Sequence, residues 1–165
     1  MNELEIRPAR VADLELLTQA FGQGYFFAER FAGQQECRGV LFTAWKRGCP
    51  RGDVYLRLEP AEEPEIRLRL PGVPFLTHLE VLAGHRNRGI GTKLIRAGER
   101  YLRDLGHRRV GLAVELTNLD AARLYRRLGY SAWGFGPVVC YDLPDGDRAV
   151  RLAQRCDVLV KRIRG

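Results

Sequence analysis

Apolar and polar positions change their period several times along the chain, and each change marks an element. Over residues 75–82, Phe75, Thr77, Leu79 and Val81 alternate with Leu76, His78, Glu80 and Leu82. A period of two in a mostly apolar stretch suits a strand with one or both faces covered. Residues 83–91 follow as a glycine-containing loop. From Leu94 the apolar positions fall at Leu94, Ile95, Tyr101, Leu102 and Leu105, with small Gly98 on the same stripe. That spacing is one face of a helix. Lys93, Arg96, Glu99, Arg100, Arg103 and Asp104 fill the other face, Glu99 stands four residues before Arg103 in the favourable order for an ion pair, and Gly106 supplies a left-handed stop.

The flanking pattern builds a mixed α/β order around this unit. Residues 4–8 alternate as a short strand ended by Pro8, and Val11, Leu14, Leu17 and Phe21 mark a helix with Asp13 and Glu15 in its first turn. Residues 25–32 read as a short helix carrying Tyr25, Phe26, Phe27 and Phe31, which either pack as core or wall a pocket. Two apolar strands, 40–45 and 53–58, flank a hairpin connector at 46–52. Residues 59–74 are acidic and punctuated by prolines; the alternation of Ile66, Leu68 and Leu70 favours a strand, while Pro64 could equally start a helical turn.

Residues 109–116 suit a buried strand parallel to 75–82, joined to it through the helix as a right-handed βαβ unit. Thr117, Asn118 and Asp120 then cap a helix with Ala121, Leu124, Tyr125 and Leu128 on its apolar face and Gly129 as its stop. Residues 133–141 and 156–163 read as strands, with a turn at Asp145-Gly146.

Length, charge and cysteines narrow the class. The 165 residues suit one domain, 1–165, able to bury roughly two thirds of its unfolded surface. No apolar run approaches the ~20 residues that span a bilayer, and the first residues lack the regions of a signal peptide, so a soluble, cytoplasmic protein without membrane association is expected. Cys37, Cys49, Cys140 and Cys156 are widely spaced without a Cys-x-x-Cys pair, which argues for reduced thiols rather than zinc or disulfides, and no metal is expected. Of the net charge of +7, residues 1–82 contribute 10 basic against 12 acidic residues, and residues 83–165 contribute 17 against 8. The basic half opens at the glycine loop and calls for an anionic ligand, a nucleotide-bearing cofactor or nucleic acid.

A strand, a tight glycine turn and a helix start make an anion site, because the first helical amides are unpaired and the helix dipole adds roughly half a positive charge. Two familiar phosphate loops are excluded. Gly84 to Gly89 has the triphosphate-loop spacing, but Ile90 and Gly91 stand where Lys and Ser or Thr are required. Gly89-Ile90-Gly91 begins a dinucleotide fingerprint, yet Leu94 replaces its third glycine.

What remains, Arg86-Asn87-Arg88-Gly89-Ile90-Gly91, resembles the acetyl-CoA pyrophosphate loop of the GNAT superfamily of N-acetyltransferases. A second resemblance lies about thirty residues on, where Asn118, Tyr125 and Leu128-Gly129-Tyr130 match the family's Asn, then Ala-x-x-Leu-Tyr, then Leu-Gly-Phe/Tyr. The resemblance covers roughly residues 4–130. It implies an α/β (α+β) GNAT fold, with a mixed, mostly antiparallel sheet of about six to seven strands, about four helices, and a splayed parallel pair around the central βαβ unit. It also implies acetyl-CoA as co-substrate and direct acyl transfer to a primary amine in a ternary complex. Backbone amides from Arg88 to Thr92, within Arg86, Asn87, Arg88, Gly89, Ile90, Gly91 and Thr92, would hold the pyrophosphate; Val81 would pair with the pantetheine arm, Asn118 would hydrogen-bond it, and Tyr125 would be the general acid.

The general base is less defined. Simple alternation places His78 and Glu80 on one face, opposite Thr77 and Leu79. Family members with a recognised base often carry it on the face of Phe75 and Thr77, where neither side chain serves. Glu80 ranks first, ahead of His78 and Glu115, and a bulge near Leu79 would change the facing. The acceptor is a small-molecule or protein amine, the first slightly favoured by the aromatic segment and the acidic insertion. Competing readings are a carrier- or tRNA-bound donor, and a non-catalytic CoA- or nucleic-acid-binding module. A homodimer is compatible with all of them.

Overall fold

The computed structural model describes residues 3–141 and 153–164; the turn expected at Asp145-Gly146 lies outside them. Eight strands, β1 (Glu5–Pro8), β2 (Gly39–Lys46), β3 (Cys49–Arg57), β4 (Phe75–Val81), β5 (Arg109–Glu115), β6 (Ser131–Ala132), β7 (Val138–Tyr141) and β8 (Ala153–Arg162), form one sheet. Their order is β1, β2, β3, β4, β5, β8, β6, with β7 also paired to β8. Among the described residues only β4 and β5 run parallel. Five α-helices, α1 (Leu14–Phe21), α2 (Gly24–Gln35), α3 (Pro64–Arg69), α4 (Ile90–Asp104) and α5 (Leu119–Arg127), complete the mixed α/β architecture, α1 being entered through a 3₁₀ turn at Val11–Asp13. Elements beyond the expected ones are short: β6 and α3.

Helices cover both faces of the sheet. The apolar stripe of α4, including Leu94, Ile95 and Leu102, packs on one face against Val40, Phe42, Val54, Leu56, Leu76 and Leu112. On the other face Leu17 of α1 and Phe26 and Phe27 of α2 meet Leu41, Trp45 and Tyr55. Phe26 and Phe27 are buried, so most of the aromatic segment is core, whereas Tyr25 is exposed. Helix α2 runs past Gly33, which stands where the Tyr55 hydroxyl leaves no room for a side chain, 2.6 Å from where a Cβ would lie.

Local chemistry explains where the structure departs from the sequence pattern. The hairpin between β2 and β3 turns on Arg47-Gly48 alone, both at positive φ (52° and 73°), a two-residue turn whose twist matches its strands. The residues expected as connector after Gly48 therefore join β3, with Pro50 opposite Trp45 at a register shift where a missing amide is tolerated. Residues 64–69 form helix α3 rather than a strand. Pro64 presets the first turn, Ile66 and Leu70 turn inward four residues apart, and Leu68 points out. The expected strand at 133–141 is interrupted, because Gly134 and Gly136 adopt positive φ and Trp133 Nε1 donates to the Gly136 carbonyl.

Glu99 also departs from its expected polar face. It is buried, accepts from the Tyr130 hydroxyl at 2.8 Å and from Lys161 Nζ at 3.0 Å, and keeps Arg103 only at 3.7 Å. Among the described residues no helix is long and apolar enough to cross a membrane.

Candidate active site

The site is assembled where β4 leaves β5. The two strands share only the rungs Phe75–Gly111 and Leu76–Leu112. Beyond Leu76 they diverge, and β4 runs on to Val81 paired with β3 alone. At the end of this gap lies the glycine loop, with α4 starting at Ile90. Gly89 caps the helix at φ 80°, a left-handed conformation that costs a side-chain-bearing residue energy, and nothing lies within 4 Å of where its Cβ would be. Between His85, whose amide bonds to the Leu82 carbonyl, and Lys93, whose amide bonds to Gly89, no backbone amide finds a backbone carbonyl among the described residues. Arg86 through Thr92 thus present a run of free donors at a helix N-terminus, a fit for a pyrophosphate.

The surrounding groups predicted from sequence are brought together. A Cβ on Gly91 would sit 3.6 Å from both Leu79 and Leu124 and 3.9 Å from Val81, which places the start of α4, the end of β4 and helix α5 at one point. Arg86 Nε donates to the Val81 carbonyl at 3.1 Å, leaving that oxygen's second lone pair for a ligand. Asn118 caps α5 by accepting from the Ala121 amide at 3.2 Å, so its side-chain oxygen has a structural task and its amide nitrogen remains available. Tyr125 is partly buried, its ring 6.2 Å from that of Tyr130. Its hydroxyl makes no hydrogen bond among the described residues, and burial pushes its pKa up to about 12.

The opposite wall carries the ionisable groups. Asp53 pairs with Glu80 and Tyr55 with Thr77, so Val54 faces two residues, His78 and Leu79. This is a β-bulge, with His78 at φ 53°. Asp53 and Tyr55 are two residues apart on one face, and their partners Thr77 and Glu80 therefore share that face although three residues apart. Simple alternation, which sets Glu80 opposite Thr77, is corrected here: the bulge returns Glu80 to the Thr77 side. His78 joins it, its ring stacked on Phe26 at 3.9 Å and its Nε2 3.1 Å from Glu80 Oε2.

Asp53, which no sequence motif marks, lies beside this pair, opposite Glu80 on the ladder and 3.8 Å from His78 Nε2. It is 0% exposed, and neither carboxylate oxygen has a hydrogen-bond partner among the described residues. Burial, reinforced by the Glu80 charge, pushes its pKa well above the usual carboxylate range. Its only sequence signal is an acidic residue inside a predicted apolar strand. Glu115, at the end of β5, pairs across the sheet with Cys156 and has no part in the cluster.

The fold is a mixed sheet covered by helices on both faces, with a split parallel pair, a donor-rich loop on one side of the gap and ionisable groups on the other. The chain belongs to the GNAT acetyltransferase family, whose model matches residues 10–130. The mycothiol acetyltransferase of Pseudarthrobacter chlorophenolicus is 44% identical over 54 residues, covering 30% of this chain and 17% of that relative. The chain thus spans only a small part of that longer protein. Among solved structures, an N-acetyltransferase of Staphylococcus aureus superposes with a TM-score of 0.73 at 14% identity, over 98% of this chain and 99% of the other. The PaiA N-acetyltransferase of Thermoplasma acidophilum, solved with coenzyme A, gives 0.66 at 14% identity over 97% and 99%. At such identities the likeness carries the fold.

Proposed function

We propose that this protein transfers an acetyl group from acetyl-CoA to a primary amine by direct attack in a ternary complex. The observation that carries the reading is the unbroken run of free amides from Arg86 to Thr92 at the mouth of the β4–β5 gap. In this reading the amides of Arg88 to Thr92 hold the pyrophosphate, at about 1.5–3 kcal/mol per charge-assisted bond. The Val81 backbone and the Asn118 amide nitrogen hold the arm that leads to the thioester. Acetyl-CoA supplies the activated acyl group and a thiolate leaving group.

Tyr125 faces the leaving sulfur as a hydrogen-bond donor. With its pKa near 12, complete proton transfer to a thiolate of pKa about 8.5 would be uphill by about 5 kcal/mol. The tyrosine therefore stabilises developing charge by hydrogen bonding, and the thiol gains its final proton from solvent.

Glu80, brought onto the Thr77 face by the bulge and tied to His78, is the proton acceptor for the amine. A lysine-like amine needs such help, because its neutral form costs about 4.6 kcal/mol at pH 7. The acceptor in this reading is a small cationic amine drawn to the carboxylate-bearing wall. Calorimetry with acetyl-CoA, followed by an amine screen, tests the proposal. Acetyl-CoA binding that Gly89→Val weakens by about tenfold or more supports it, and absence of acetyl-CoA binding by the wild-type protein overturns it.

A further inference from the structure

Acyl transfer as described leaves one group without a task. The Asp53 carboxyl is completely buried with both oxygens lacking a hydrogen-bond partner among the described residues. A carboxylate so placed is costly unless a proton or a cation compensates it. Its ionisable neighbours are His78, with Nε2 3.8 Å from Asp53 Oδ1, and Glu80 on the facing rung. One ligand atom from each of the three side chains lies within 4.8 Å of the others.

The direction of the imidazole separates two uses of such a trio. A proton relay sets the two ring nitrogens on different partners, one toward a carboxylate and the other toward the substrate. Here the same nitrogen, Nε2, faces both Glu80 Oε2 at 3.1 Å and Asp53 Oδ1 at 3.8 Å. Three lone-pair donors lie within 4.8 Å of one another. Zinc bonds of about 2.0–2.2 Å to nitrogen and carboxylate oxygen place neighbouring ligand atoms roughly 3.0–3.6 Å apart. The two spacings from His78 Nε2, 3.1 and 3.8 Å, are in that range or just beyond it.

The backbone holds this convergence in place. Asp53 and Glu80 face each other on the ladder, the bulge turns His78 onto their side, and stacking on Phe26 fixes the imidazole plane. The His78 and Glu80 side chains are 30% and 27% exposed, so an ion can enter from solvent while Asp53 closes the back. One imidazole with two carboxylates suits zinc, cobalt or manganese better than magnesium, which prefers oxygen ligands and water.

We propose that Asp53, His78 and Glu80 form a binding site for a divalent transition-metal cation of the zinc class, with outward positions left open. Nothing in the spacing of the cysteines foretold it, since the ligands come from two strands and a bulge. A bound ion occupies the lone pairs of Glu80, so occupancy and proton acceptance by Glu80 exclude each other and the ion inhibits acyl transfer. That consequence rests on the acyl-transfer reading; the site itself does not.

The test is titration of the purified full chain with Co²⁺, read by visible d–d absorption, with Zn²⁺ as competitor in calorimetry. The expected result is one equivalent of Co²⁺, displaced by Zn²⁺, with affinity falling at least about tenfold in both Asp53→Asn and His78→Gln. No uptake by the wild type, or uptake unchanged in both variants, overturns the site. His78 is partly exposed, so its variant remains informative if Asp53→Asn does not fold. Acetyl-CoA binding in the same preparations is read separately: its loss with cobalt uptake intact would remove the acyl-transfer reading and leave the metal site standing.

Discussion

At the scale of single residues, the informative side chains are polar ones that burial has given a partner. Glu99 is the clearest case. Helical spacing assigns it to the solvent face of α4, yet it lies under Tyr130 and Lys161, contacts that join residues 31 and 62 positions apart. No local pattern can show such a pairing. Glu99→Ala should destabilise the fold by about 3–5 kcal/mol in urea unfolding, because it strands the Lys161 charge.

Asp13 gives a pH signature. Burial raises its pKa, but the hydrogen bond from Arg7 at 2.5 Å, that from the Arg10 amide at 2.7 Å and the neighbouring positive charges outweigh it, and the net shift is downward. A lowered folded-state value stabilises the protein above the unfolded value, about 3.9, and that contribution is lost as pH falls through the folded value. The difference in melting temperature between wild type and Asp13→Asn should therefore be full near neutrality and shrink below about pH 4. For Tyr125, replacement by Phe should lower turnover about tenfold while leaving acetyl-CoA affinity nearly intact, as expected of a hydrogen bond made mainly to developing charge. An equal loss in both would assign it to binding.

At the scale of elements, the loop and α4 are legible because their chemistry is local. A glycine pair, unpaired helical amides and a period of 3.6 all lie within one short stretch. Gly89→Val tests that stretch directly: it combines a strained positive φ with a side chain where the ligand should lie. Acetyl-CoA affinity should fall by about tenfold to a hundredfold, the equivalent of one charge-assisted bond or slightly more. The β4 bulge is less legible. Sequence permits it near Leu79 but does not determine which side chains change face, because the decision rests with β3, whose Val54 must face two residues of β4. Helix α3 is hard to read for a related reason: Ile66, Leu68 and Leu70 fit a strand as well as a helix until the positions of Phe75, Val138 and Val158 beneath Ile66 and Leu70 are known.

At the scale of the whole molecule, the charge is divided as the sequence divides it, near −2 before Ala83 and +9 from there on. An anionic donor approaching the basic half is steered by that field, so acetyl-CoA affinity measured by calorimetry should weaken as salt rises from about 0.01 to 0.15 M, where the screening length shrinks from about 30 to 8 Å. Unchanged affinity across that range would assign binding to the loop amides alone.

The two-rung contact between β4 and β5 has a further consequence, in the mechanics of the sheet. One side of the seam is the β1–β4 sheet, and the other is β5 with β8, β6 and β7. Two rungs, the packing of α4, and the contact of Ile66, Leu70 and Phe75 with Val138 and Val158 hold these halves together where continuous sheets use a full ladder. In the acyl-transfer reading the pantetheine arm lies along the seam as a removable strand, and the donor becomes part of the molecule's own stiffness. At a concentration one hundred times its dissociation constant it adds about 2.7 kcal/mol to stability. Amide exchange should then slow first along the open part of β4, so that a substrate for chemistry serves, between turnovers, as a splint.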